Sequence, residues 1–152
     1  MEFNSINAFG AIFVILMLIP NIFFAIKNID EKNLCTNRFM NVIEQIGRYA
    51  CIVLMWLPLL VREFDFPSTA GFIVYLVGNG ALIAAYRILF IYYDRKSVKL
   101  ALALAIIPSC IFLLSGITLR HWLLAAAAVL FAVGHVFVTY DNAKKRASSE
   151  KG

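Results

Sequence analysis

A chain of 152 residues that is 62% hydrophobic and 15% charged, with a mean hydropathy of +0.82, carries more apolar surface than a soluble core can hide; soluble domains run near 45–50% apolar and about 25% charged. Lipid is therefore the expected solvent, and the apolar runs are too long and uniform for barrel strands, which leaves an all-α polytopic bundle. The net charge of +5 gathers at the ends of the apolar runs, so it reads as a topology signal and not as a nucleic-acid surface.

The first run, about residues 6–27, matches the roughly 20 residues needed to cross the hydrocarbon. It does not read as a cleaved signal, because Glu2 precedes the apolar core and the first cation, Lys27, follows it. A polar connection, 28–41, leads to a second span at 42–61 that opens with an unusually polar turn. The segment 62–68, with Pro67 near its end, is a short turn before a third span at 69–93. A charged turn follows, then a fourth span at 98–119 and a fifth at 121–140. Residues 141–152 form a basic tail expected to be solvated and frayed. One bundle of five spans is the expectation, with four as the alternative if the first lies flat.

Orientation follows from the cations. With the N-terminus outside, Lys27, Lys32, Arg38, Arg95, Lys96, Lys99, Lys144, Lys145, Arg146 and Lys151 fall on the cytoplasmic side, leaving Arg62 and Arg120 outside. The bias implies a multi-pass protein of a bacterial cytoplasmic membrane, with membrane lipids as its first partners. Of the three cysteines, Cys35 falls in a cytoplasmic connection, and Cys51 and Cys110 lie in spans without CxxC spacing. No disulfide framework, zinc site, cofactor motif or catalytic signature is expected.

Depth is the informative coordinate. At 1.5 Å of rise per residue, Asn21, Arg48 and Arg87 each lie roughly 9 Å in from the cytoplasmic end of their spans, and His135 roughly 7 Å. Glu44 precedes Arg48 by four residues and so shares its face, with Gln45 beside it; Tyr86 precedes Arg87. Charged groups at that depth should turn inward and find partners. One carboxylate cannot neutralise two guanidinium groups, so the expected site is a cytoplasm-facing cavity that binds or transports an anionic small molecule or lipid headgroup. Arg87 and Arg48 would hold the anion, Glu44 would balance charge, and His135 and Asn21 would orient the ligand.

Blander readings stand beside each residue. Glu44 and Arg48 can be a simple i,i+4 pair, Arg87 can snorkel to headgroups, His135 can bridge helices, and Asn21 can satisfy a carbonyl released by Pro20. Taken together these describe a structural or regulatory membrane subunit whose polar layer only holds helices together. A lipid-acting enzyme with Glu44 or His135 as acid or base is a third reading, weakened by the absence of a nucleophile at matching depth.

Pro20 and Pro108 should kink spans one and four. Their similar surroundings, LMLIPNIFF and LAIIPSCIF, suggest an inverted repeat about span three, against which stand two independent kinks. Gly71, Gly78 and Ala85, with Gly80, Ala81 and Ala84, suit span three as the central helix or as a homodimer seam; Ala125, Ala128 and Ala132 could serve span five the same way. Finally, Ile19-Pro20-Asn21, Glu44 to Arg48 (EQIGR) and Leu130 to His135 (LFAVGH) resemble segments of small multi-span bacterial membrane proteins with no assigned activity. The resemblance implies the topology and the polar positions, and no chemistry.

Overall fold

The computed structural model describes residues 7–27, 33–57, 59, 66–92 and 97–149. Among them are five α-helices and no strand: α1 (Ala8–Lys27), α2 (Arg38–Trp56), α3 (Thr69–Ile91), α4 (Val98–Thr118) and α5 (Trp122–Ser149). The side chain of Lys27, the connection that carries Lys32, the turns that carry Arg62, Arg95 and Lys96, and the terminal Lys151 lie outside the described residues.

Each helix starts where a side chain can accept one of the first turn's unpaired N–H groups. Asn7 Oδ1 accepts from Gly10 N at 2.9 Å, Asn37 Oδ1 from Met40 N at 3.1 Å, and Ser68 Oγ from Gly71 N at 3.1 Å. Ser97 Oγ accepts from Leu100 N at 3.3 Å, and His121 Nδ1 from Leu124 N at 3.0 Å. The Asn37 cap is why α2 begins at Arg38, four residues before the expected span. It stops at Trp56 because Leu57, followed in sequence by Pro58, is extended (φ −113°, ψ 134°), as a residue before proline prefers. Between α4 and α5 the chain turns on a Schellman motif: His121 N donates to Gly116 O at 2.8 Å and Arg120 N to Ile117 O at 3.1 Å. Arg120 takes the left-handed position, φ 52°, that glycine usually fills.

α1, α3, α4 and α5 are long and apolar enough to cross a bilayer. The expected frayed tail is instead helical to Ser149. Asp141 and Lys145 pair at 2.8 Å one turn apart. Asn142 Oδ1 accepts from Leu34 N at 2.7 Å, and Lys145 Nζ donates to Leu34 O at 2.9 Å, so the extension is tied to the segment before α2.

The helices close a ring in the order α1, α2, α5, α4, α3, in which α5 packs most extensively, against α2 and α4, and α1 touches α2 and α3 more lightly. Span three is therefore not the central helix. A Cβ on Gly80 would meet nothing within 4 Å, and Ala81, Ala84 and Ala85 are exposed. α5 takes the role through close contacts at small residues: a Cβ on its Gly134 would stand 2.6 Å from Glu44 N, and one on Gly116 of α4 would stand 2.6 Å from N of Ala125 on α5. The packing gives the inverted repeat no support, since α4 and α5 are tightly joined whereas α1 and α2 are not. The core between the helices holds Met17, Cys51, Met55, Tyr75, Ile111, Phe112, Leu124 and Phe131. At the end opposite the cationic helix termini, Asn7 Nδ2 donates to Tyr75 Oη at 3.1 Å and Asn79 Nδ2 to Ser115 Oγ at 3.1 Å, joining α1, α3 and α4 through fully enclosed polar groups.

Candidate functional site

The site begins at the crossing of α2 and α5. Glycine at 47 and at 134 lets the two backbones meet, since a Cβ on Gly47 would lie 2.7 Å from Phe131 Cα. That approach sets Glu44 directly against the next residue on α5. His135 Nδ1 lies 2.7 Å from Glu44 Oε1, and Arg48 Nη2 reaches the same oxygen from one turn along α2. A carboxylate only accepts, so Nδ1 carries the hydrogen and the lone pair of neutral His135 sits on Nε2. Phe131, one turn earlier on α5, stacks on the imidazole with ring centroids 4.7 Å apart and planes 15° off parallel, which fixes the ring's orientation.

The opposite wall comes from α1 and α3. The inner face of α3 reads Tyr75, Asn79, Ile83, Tyr86, a helical spacing that brings Tyr86 inward; its hydroxyl donates to Asn21 Oδ1 at 2.9 Å. Asn21 Nδ2 in turn donates to Met17 O at 3.0 Å. That is the carbonyl one turn back from Asn21 itself; the one Pro20 leaves without a backbone donor is Leu16 O.

Between the walls is a cavity of about 160 Å³ whose polar lining is Asn21, Arg48, Tyr86 and His135, set among apolar groups such as Met17, Ile52, Pro108 and Phe112. At about 30 Å³ of liquid volume per water it has room for roughly five waters or one small anion. A second cavity of about 130 Å³ shares Asn21, Tyr86 and His135 and adds Thr139. Thr139 lies one turn beyond His135 on the same face, and that i+4 spacing is the signal by which sequence reasoning could have found it.

Five of the seven expected residues thus converge: Asn21, Glu44, Arg48, Tyr86 and His135. Two do not. Adjacent residues on a helix diverge by about 100°, so with Tyr86 inside, Arg87 is carried round the side of α3, half-buried, lining neither cavity. Gln45 is likewise exposed beside a buried Glu44. Of the two arginines Arg48 lines the cavity, and it is paired with Glu44, which lines neither cavity, so the expected surplus of two arginines over one carboxylate is absent there. Among the described residues no three of His, Cys, Asp or Glu stand close enough to hold a metal ion. Pro20 and Pro108 lie inside continuous helices, and both are buried.

Comparison with protein-family profiles, curated proteins and solved structures finds no match for this chain.

Proposed function

We propose that this chain is a five-span protein of a bacterial cytoplasmic membrane, N-terminus outside, whose cytoplasm-facing cavity binds or transports an anionic small molecule or lipid headgroup. The observation that carries the reading is the cavity wall itself: four helices each contribute a polar side chain to one small, otherwise apolar space. Such groups cost several kcal/mol in hydrocarbon unless they serve a site or one another. Arg48 uses one nitrogen on Glu44, and the rest of its planar fork remains to grip a carboxylate or phosphate.

The fifth span rests on α2 being inside-out relative to a soluble helix. Glu44, Gly47, Cys51, Leu54 and Met55 are buried, whereas Phe39, Val42, Ile46, Tyr49 and Val53, recurring every three or four residues, are exposed. An apolar stripe on the outer face suits lipid, while the inner face carries the single carboxylate Glu44 among small and apolar residues. Orientation rests on Arg38, Lys99, Lys144, Lys145 and Arg146 at one end of the bundle, with Arg120 at the other. A membrane-impermeant maleimide applied to intact cells should label a Ser68→Cys variant and spare Ser148→Cys; the reverse pattern inverts the topology.

The test of the function is Arg48→Gln. Native mass spectrometry of the gently extracted protein should find an anion retained by the parent and lost from a variant that still melts as a bundle. A second reading, a structural or regulatory subunit, is favoured by one observation: Glu44 is already shared between Arg48 and His135. In that case Arg48→Gln lowers thermal stability, changes no ligand, and a protein partner accompanies the extracted chain.

A further inference from the structure

We infer that the cavity takes up one proton with each anion it binds, and that the proton resides on Nε2 of His135. The inference rests on the anion-binding reading above and names its regulation. With the imidazole neutral, Glu44 and Arg48 cancel and the wall carries no net charge. An anion entering a space lined largely by apolar side chains would then lose its hydration without gaining a counter-charge. A proton from bulk water that bonds to the Nε2 lone pair turns His135 into an imidazolium. The wall becomes singly positive, and Nε2–H becomes a donor on the ring edge not held by Glu44.

The geometry suits that change. Nδ1 is already committed to Glu44 at 2.7 Å, so protonation of Nε2 alters neither the ring's position nor its first hydrogen bond. His135 lines both cavities. The groups facing it are few. From α2 come Glu44 and Arg48, and from α3 Tyr86, whose hydroxyl is given to Asn21. Among the described residues α1 offers Asn21 and no titratable group, and the α4 wall is apolar, Leu104, Ala105, Pro108 and Phe112. α5 itself adds Thr139 and Phe131. Imidazole is the side-chain type among these that exchanges a proton between about pH 5 and 8. Binding therefore tightens as pH falls, and a monovalent anion carried through the site moves with its proton and no net charge.

The experiment is ¹⁵N NMR of the full-length, histidine-labelled protein in nanodiscs, with His121 and His135 distinguished by a His135→Asn variant. Asparagine keeps an amide donor where Nδ1–H meets Glu44 and removes Nε2. One arm uses phosphatidylcholine discs with added sulfate, a tetrahedral oxyanion whose charge does not change over this pH range; the other uses phosphatidylglycerol discs without sulfate. Together they separate a free anion from a headgroup. The expected result is that the midpoint pH of His135 rises with sulfate, approaching about one pH unit per tenfold increase, or rises in the phosphatidylglycerol discs. Calorimetry should show pH-dependent sulfate binding in the parent and pH-independent binding in folded His135→Asn. Binding with an unmoved His135 midpoint, or an unaltered pH dependence in the variant, overturns proton coupling and leaves the anion site standing. No binding by either anion at any pH overturns the anion site and this inference with it.

Discussion

Replacing Gly134 with alanine puts a methyl group 2.6 Å from Glu44 N and 2.8 Å from Glu44 Cα. Both are backbone atoms, so no side chain can swing aside. Ordinary contact begins at 3.4 Å, and α5 must therefore back away from α2 by about 0.8 Å at the crossing. The hydrogen bond between His135 and Glu44, now 2.7 Å, then opens to about 3.5 Å, beyond useful length. Overpacking of this kind costs about 1–3 kcal/mol. The lost bond adds about 0.6 kcal/mol on the scale of interhelical bonds in membranes. The expected total is about 1.6–3.6 kcal/mol. Gly80→Ala is the control, since its Cβ meets nothing within 4 Å and should change stability by no more than about 0.5 kcal/mol. Reversible unfolding in mixed micelles measures both, and the ¹⁵N spectrum of His135 reports the bond. If Gly134→Ala is as stable as Gly80→Ala and its His135 signals are unmoved, the close crossing of α2 and α5 does not position the site.

Tyr86→Phe removes the hydroxyl that holds Asn21 and should cost about 0.5–1.5 kcal/mol in the same unfolding assay, without altering the His135 tautomer. Arg120→Gly relieves a left-handed φ of 52° and should stabilise the bundle by up to about 1 kcal/mol, a loss of stability counting against the Schellman turn. The hydrogen bond from Lys145, with smaller electrostatic help from Lys145 and Lys144, holds the Asp141 carboxyl below its usual value. A depressed folded-state pKa stabilises above the unfolded value and ceases to as pH falls through the folded one. The helical ¹³C shifts of residues 142–149 should therefore persist at neutral pH and fade only below the ordinary carboxylate range, and in Lys145→Ala they should weaken already at neutral pH.

The helical class and four long apolar helices were legible in the sequence because lipid demands long uninterrupted runs, and those runs dominate the composition. The helix ends were less legible, for local reasons: Asn37 starts α2 before its apolar stretch begins, and Asn142 and Lys145 tether a tail that composition alone presents as solvated. In the site, depth brought Asn21, Arg48, Arg87 and His135 to one layer, with Glu44, Gln45 and Tyr86 added as their helical neighbours, because depth needs only the rise per residue. Azimuth needs to know which face each helix turns inward. That is decided by Gly134 against Glu44 and by the Tyr75–Asn79–Ile83–Tyr86 face of α3, and it is why Arg87 and Gln45 fell outside. Small residues on α3 pointed to the wrong central helix, since a small side chain permits close approach whether or not a neighbour uses it.

Native mass spectrometry of the parent beside Arg48→Gln and Arg87→Gln, all gently extracted, tests the cavity most directly. An anionic small molecule or lipid held by the parent and by Arg87→Gln, and lost from a folded Arg48→Gln, is the predicted result. An anion retained equally by all three, lost only from Arg87→Gln, or absent from the parent contradicts the assignment of an anion site to the space between Arg48, Asn21, Tyr86 and His135.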